Sequence, residues 1–227
     1  MEAAFYTVAT WLLPVVAAIV LHDFAQWTVA RWMGDPAANA QRPERNAVRH
    51  IDAIGSVLVP IALALAHAPV FGWGKRLPLT VDDDTVTRRR LALVALTGPV
   101  ACMVHAVIGA VALGALVAAM GGTMPESGTS GFLAANLLNF ILANACMATF
   151  HLLPFPPFDV GRAIAELLPE GVRRKVRRGG RIFILITVAV IVALPLLDPE
   201  ARIGEKLAAP VINAIMGFVL GLVNLTV

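Results

Sequence analysis

Long apolar stretches separated by short polar ones are the feature that most constrains the fold of this chain. A membrane-spanning helix needs ~20 predominantly apolar residues, and several stretches here approach or exceed that length. With 58% hydrophobic and only 15% charged residues, a chain of 227 residues cannot bury its apolar surface in one water-soluble core. The sequence therefore predicts an all-α membrane protein, a polytopic helical bundle. The apolar stretches are 5–21, 51–68, 91–120, 132–153, 182–197 and 207–227.

The first apolar stretch is expected to persist as a membrane helix. A cleaved signal would begin with basic residues and end at a small-residue cleavage site, whereas this chain has Glu2 near its start and no such site after Leu21. The helix is expected to run on to Met33, with a kink near Pro14, because proline removes one helical hydrogen bond.

The other stretches differ in how well they suit a membrane crossing. Residues 91–120, 132–153 and 207–227 are long enough to span, whereas 182–197 is short for a span. Residues 51–68 are interrupted by Gly55, Pro60 and a following proline, so this stretch is predicted either to span or to re-enter the membrane as a broken helix. The bundle is thus expected to have about five or six membrane segments.

Charge is small in total but strongly localised. The net charge is +3, and residues 173–181 carry six arginines and lysines between two apolar stretches. The positive-inside rule places this segment in the cytoplasm, next to anionic membrane lipid, and membrane lipid rather than nucleic acid is the expected partner. The sequence divides into a membrane core at 1–170, followed at 171–227 by a basic cytoplasmic loop and two C-terminal membrane helices.

Polar side chains inside the first apolar helix are the main indication of function. His22, Asp23 and Gln26 follow directly after Leu21. Ionisable groups within membrane helices are costly, and they usually mark a functional site. The sequence therefore predicts a polar site within the membrane at this helix.

A second polar cluster lies at 151–162, with the sequence HLLPFPPFDVGR. Its three prolines prevent the preceding helix from continuing, so Asp159 is expected on irregular backbone near the cytoplasmic end of the fourth apolar stretch. A carboxylate there needs a cation, a metal or water as its partner. Arg162, three residues further on, is one candidate.

Five elements in the same order resemble the short prokaryotic members of the site-2 protease family, which are intramembrane zinc metallopeptidases. The resemblance covers roughly residues 10–170. Its elements are HDFAQ at 22–26 with GDP at 34–36, NAVRHIDAIGS at 46–56, FGWGKRLPL at 71–79, GP at 98–99 and HLLPFPPFDVGR at 151–162.

The resemblance implies a zinc site with particular residues. In the HExxH pattern two histidines at i and i+4 bind zinc and the glutamate activates water. By position, His22 and Asp159 are the implied zinc ligands, Asp23 stands at the general-base position, and Gln26 stands in the place of the second histidine. His151 and His50 are alternative replacements for the missing imidazole. The other interpretation is that His151 is a buried hydrogen-bonding residue in place of an asparagine, and that His50 is structural.

These substitutions leave more than one function open. An amide oxygen is a poorer zinc donor than imidazole, and a shorter acid displaced by ~1 Å can cost about 100-fold in rate. The first hypothesis is a zinc metallopeptidase in a prokaryotic cell (inner) membrane, cleaving membrane-embedded peptides with impaired activity. The alternative is an inactive pseudoprotease that binds or regulates a transmembrane partner. A transporter is less favoured, because the chain lacks paired discontinuous repeats.

Two further features bear on packing. Cys102 and Cys146 both lie in apolar stretches and are expected to be buried free thiols. Gly217 and Gly221 have the GxxxG spacing that packs membrane helices together, which predicts a homo-oligomer through the last helix.

Overall fold

The computed structural model describes most of the chain, and the part it describes is helical with no strand. This confirms the all-α prediction. The described residues are 2–40, 51–65, 70, 72–74, 79–80, 85–155, 158–188, 206, 209–215, 217–218 and 221. The elements are α1 (Glu2–Trp32), α2 (Pro36–Asn39), a π-helical segment (Ala53–Leu58), α3 (Val59–Leu65), α4 (Thr85–Ala119), α5 (Gly128–His151), α6 (Asp159–Leu167) and α7 (Glu170–Val188).

Among the described residues, three helices are long and apolar enough to cross a membrane. They are Phe5–Trp32, Val86–Ala119 and Gly128–His151, with mean hydropathies of 1.8, 2.4 and 1.5. They correspond to the first, third and fourth apolar stretches. Most of the stretch 182–197 and part of 207–227 lie outside the described residues.

The stretch predicted either to span or to break is short and interrupted where the structure describes it. A π-helical segment of six residues, Ala53–Leu58, leads into the seven residues of α3. The backbone N–H of Trp73 donates to the Gly55 carbonyl over 3.1 Å, and the Ser56 hydroxyl donates to the Trp73 carbonyl over 2.9 Å. In the described part, the backbone of this segment is therefore paired to a neighbouring loop. The choice between a span and a broken helix stays a prediction.

The basic segment predicted to be a loop is instead helical. Residues 173–181 lie within α7, which runs from Glu170 to Val188 and joins the basic residues to the start of the next apolar stretch. Arginine and lysine are good helix formers, so no break is required between the basic and apolar parts. Arg173 is only 4% exposed, and its guanidinium lies 3.9 Å from the Glu166 carboxylate.

The long helices α1, α4 and α5 pack against one another and form the core. Buried residues of all three helices meet in one apolar cluster, including Ile19, Cys102 and Met147. Within it, the Asn139 amide of α5 donates to the Thr10 carbonyl of α1 over 2.9 Å. Cys102 and Cys146 are free and buried, as predicted.

The turn after α1 is held by a buried ion pair. Gly34 has a φ of +77°, which suits glycine at the end of a helix. The next residue, Asp35, is fully buried and accepts a hydrogen bond from the Ala38 N–H at 2.9 Å, capping α2. Its other oxygen lies 3.2 Å from the Arg90 guanidinium of α4 and accepts from the Thr80 N–H at 3.1 Å. Asp35 therefore joins the end of α1 to the start of α4.

Asp35→Ala should destabilise the fold, because it leaves the Arg90 guanidinium largely buried without its carboxylate. Removing one partner of a buried ion pair costs about 3–5 kcal/mol. Thermal unfolding in detergent micelles should show a clearly lower midpoint than that of the wild type. Glu126→Ala, at an exposed position, is the matched control and should shift stability by less than about 0.5 kcal/mol. Equal midpoints for the two variants would contradict this account.

Candidate metal centre

His22 lies within α1, ten residues before its last residue Trp32, and is 3% exposed. Its Nδ1–H donates to Asp23 Oδ1 over 2.9 Å, and its Nε2 lies 2.7 Å from Asp159 Oδ2. The first contact fixes which ring nitrogen faces the neighbouring helix. His22 therefore presents Nε2 to the carboxylate that the sequence also singled out.

The bend between α5 and α6 brings Asp159 to this point. Asp159 is the first residue of α6 and is 1% exposed. The bend is closed by the Gly161 N–H, which donates to the Leu153 carbonyl over 3.1 Å. A Cβ at Gly161 would overlap the Phe155 backbone, so only glycine allows this close approach. The positive end of the α6 dipole also favours a carboxylate at its first residue.

His151, the last residue of α5, completes a group of three side chains that each offer an atom able to bind a metal. Its Nδ1 lies 2.7 Å from the same Asp159 Oδ2. The His22 and His151 rings have centroids 4.5 Å apart and planes inclined by 52°. One carboxylate oxygen is thus shared by imidazoles from two different helices.

Helix α4 forms the remaining side of the polar niche, which is the region between His22, Gln26, His151 and Asp159. Gly98 of this helix limits the size of the niche. A Cβ at Gly98 would overlap His22 Nε2, Asp159 Oδ2 and Gln26 Nε2. These three polar atoms therefore converge on the space that a Cβ at position 98 would occupy. Any larger residue at this position would displace at least one of them.

Pro99 explains the position of Gln26. Proline lacks the N–H that would bond to the carbonyl four residues earlier in a helix, and for Pro99 that carbonyl belongs to Ala95. The Gln26 amide donates to the Ala95 carbonyl over 3.3 Å, and Gln26 is only 2% exposed. Gln26 therefore satisfies a backbone group that the proline leaves free.

The electrostatics keep Asp159 ionised. Burial alone would raise the pKa of its carboxyl, but the charges and hydrogen bonds of His151 and His22 lower the pKa well below its ordinary value. Arg162, the partner expected from the sequence, contributes a longer contact, 3.4 Å from Asp159 Oδ1, and remains 40% exposed at its side chain.

Arg88 docks the helix that carries Asp159. Its guanidinium, near the start of α4, donates to the carbonyls of Glu166 and Leu168 over 2.7 and 2.6 Å. These carbonyls lie at the C-terminal end of α6, where helical partners are missing. Arg88 thus joins the end of α6 to α4, the helix that also forms the wall of the niche.

The three side chains match the protein ligands of a catalytic zinc site. Among the described residues, His22, His151 and Asp159 form a group whose possible ligand atoms all lie within 4.8 Å of one another. Two imidazoles and one carboxylate are common zinc ligands, and three protein ligands leave one position open for water or substrate. The donor chemistry and its burial therefore fit a divalent metal such as zinc.

The structure brings together most of the residues selected from the sequence. His22 and Asp159 are in direct contact, Asp23 is hydrogen bonded to His22, and Gln26 faces the same niche. Of the two candidate replacements, His151 contacts Asp159, while His50 lies outside the described residues. The roles of the Ala95 carbonyl and Arg88 were not anticipated. The Gly98–Pro99 pair was a usable signal, because a proline in a helix always leaves one carbonyl free.

The fold and the site define a helical membrane protein with a candidate metal centre between its helices. The chain is 33% identical over 167 residues to the Bacillus subtilis (strain 168) protein named "Putative zinc metalloprotease YwhC", an alignment that covers 72% of this chain and 71% of that protein. The chain therefore belongs to the zinc metalloprotease family of this relative. No family model matches the chain, and no solved structure matches it.

Gly98→Ala should weaken metal binding without weakening the helix. Alanine is ordinarily better than glycine in a helix by about 1 kcal/mol, but its Cβ would displace His22, Gln26 or Asp159. We expect the affinity for Zn²⁺, measured by competition with a chromophoric chelator, to fall at least ~10-fold. Gly171→Ala, where a Cβ meets nothing within 4 Å, is the control and should bind as the wild type does. Unchanged affinity in Gly98→Ala would refute the proposed shape of the niche.

Proposed function

We propose that this protein is a site-2 protease-like intramembrane zinc metallopeptidase of a prokaryotic cell membrane, acting on membrane-embedded peptides. The observation that carries the proposal is the group formed by buried His22, buried Asp159 and half-buried His151 between apolar helices. Membership of a zinc metalloprotease family supports the choice of zinc.

The depth of the site supports a membrane-embedded substrate. At a rise of 1.5 Å per residue, His22 lies ~15 Å along α1 from Trp32 and ~25 Å from Phe5. Both distances are a large fraction of the ~30 Å hydrocarbon thickness. On α5 the site lies at the end of the candidate span, at His151, so an unwound stretch of a transmembrane segment would reach it from within the membrane.

Zinc would be held by His22 Nε2, His151 Nδ1 and an oxygen of Asp159. When bound, it would polarise a peptide carbonyl and lower the pKa of a water molecule towards neutrality. The protein's own contribution is to fix these donors on three separate helix positions, α1, the end of α5 and the start of α6. Gly98 allows them to lie close to the backbone of α4.

The two carboxylate oxygens of Asp23 have different roles. Oδ1 accepts the Nδ1–H of His22 and orients that ring, as a carboxylate commonly does behind a metal-binding histidine. Oδ2 is buried without a hydrogen-bond partner among the described residues. We assign Oδ2 as the proton acceptor, the general-base role that the position of Asp23 implies.

His151 removes the main argument for an inactive protein. Gln26 is a poor zinc ligand and by itself favours a binding or regulatory pseudoprotease. With His151 2.7 Å from Asp159, the chain retains two imidazoles and a carboxylate in one place. We therefore favour a peptidase over the alternative of a regulator without activity.

Purified protein should contain stoichiometric zinc after zinc-replete growth, and His22→Ala and Asp159→Ala should lose it. In liposomes the wild type should cleave single-span test peptides of ~20 apolar residues within the apolar segment, as identified by mass spectrometry of the products. A zinc chelator and either substitution should abolish the cleavage.

His105→Ala is the control for loss of an imidazole from the membrane region, and it should retain zinc. Wild-type protein without zinc would overturn the proposed function. Stoichiometric zinc without cleavage of any test peptide would reject the peptidase and favour the binding or regulatory alternative.

Substitutions at Asp23 should separate its two tasks. Asp23→Asn keeps an oxygen that accepts from His22, so zinc binding should stay within a few-fold while cleavage falls by ~100-fold or more. Asp23→Ala removes both oxygens, so zinc affinity should also fall by 10- to 100-fold, as a rough expectation for loss of an outer-shell partner. Zinc titration and initial cleavage rates provide the two measurements. Full cleavage by Asp23→Asn would exclude Asp23 as the proton acceptor.

A further inference from the structure

Gln26 and His151 occupy two sides of one polar niche, although they belong to different helices. His151 Nδ1 lies 2.7 Å from Asp159 Oδ2. Gln26 Nε2, that same oxygen and His22 Nε2 all lie where a Cβ at position 98 would stand. The side chains of residues 26 and 151 therefore approach the same pair of ligand atoms from α1 and from the end of α5.

We propose that residues 26 and 151 are alternative positions for the second imidazole of the metal site, and that this chain uses position 151. His151 supplies the imidazole, and Gln26 supplies an uncharged amide where a ligand would otherwise stand. The inference rests on the proposed function, since it specifies the ligand set of that site. It goes further in predicting that the second imidazole can bind the metal from either position, 26 on α1 or 151 at the end of α5.

The geometry of α1 makes residue 26 a suitable ligand position. Residues 22 and 26 are one helical turn apart and share a face. A metal-binding histidine ordinarily donates its other ring N–H to a carboxylate or a backbone carbonyl. The Ala95 carbonyl, left free by Pro99, already accepts from the Gln26 side chain and would serve a histidine at 26 in the same way.

The same carbonyl explains why glutamine is tolerated at position 26. An apolar residue there would leave the Ala95 carbonyl without a partner at membrane depth, which is costly. A charged residue would add a further buried charge beside Asp159 and Asp23. Glutamine bonds the carbonyl and remains neutral, so the imidazole at 151 supplies the missing donor without competition.

A cycle of four proteins tests this exchange: wild type, His151→Asn, Gln26→His and the double variant. Zn²⁺ affinity is measured by competition with a chromophoric chelator, and Co²⁺ spectra report the number of ligands. His151→Asn should bind Zn²⁺ ~100-fold more weakly or worse, because loss of even an outer-shell partner costs 10- to 100-fold. The double variant should recover to within about 10-fold of the wild type, since its second imidazole returns at position 26.

Gln26→His alone should bind Zn²⁺ at least as tightly as the wild type. Its Co²⁺ spectrum should change, because a fourth protein ligand fills the position that a catalytic site leaves open. The strong non-additivity of the two substitutions is the signature of a shared ligand position. A double variant as weak as His151→Asn would overturn the proposal, as would wild-type affinity in His151→Asn.

Controls separate this result from misfolding and from failure of the proposed function. His151→Gln repeats the single substitution with a longer amide, so a folding defect of one variant does not decide the outcome. His105→Asn, the same chemical change in the adjacent helix, should leave Zn²⁺ affinity unchanged. Zinc bound by both wild type and His151→Asn would reject the exchange alone, whereas a wild type without zinc would reject the proposed function as well.

Discussion

The structure depends on one buried carboxylate, Asp159, whose charge must be neutralised between apolar helices. An unpaired carboxylate at such a position would be costly enough to favour another arrangement of the chain. Two imidazoles meet the requirement, one from α1 and one from the end of α5, and both contact the same oxygen. A proton or a divalent metal shared among these groups serves the same electrostatic purpose. The contacts of Asp159 and the packing of the three long helices therefore depend on each other.

Breaks in regular backbone are what make room for this site. The bend before α6 ends one helix and starts another at Asp159, and Gly161 permits the close approach that the bend needs. In α4, Gly98 removes the side chain that would fill the niche, and Pro99 frees the carbonyl that Gln26 contacts. Irregular backbone is tolerated at membrane depth only where protein groups satisfy it. Here Gln26, which satisfies the carbonyl freed by Pro99, also lines the candidate metal centre.

Much of the architecture was accessible from the sequence, and the exceptions have physical causes. Hydropathy identified the three long helices, and the expense of polar groups in lipid singled out His22 and Asp159. The resemblance to site-2 proteases implied that these two residues share a metal. The basic segment was predicted to be a loop but is helical. Basic side chains indicate on which side of the membrane a segment lies, but they do not interrupt helical hydrogen bonding. His151 was left with two interpretations. Its distance from His22 depends on how α5 ends relative to α1, which no local pattern encodes.

The sequence by itself determined which segments are apolar, which residues are chemically able to bind a metal, and where proline prevents a helix from continuing. These properties are local, because they follow from side-chain chemistry and from the periodicity of one helix. The tertiary structure decided which of the candidate donors meet. The contact between His22 and Asp159 joins residues 137 positions apart, and the choice between residues 26 and 151 depends on the packing of α1, α4 and α5. Such choices are set by the free energy of packing whole helices, which is a property of the assembled bundle.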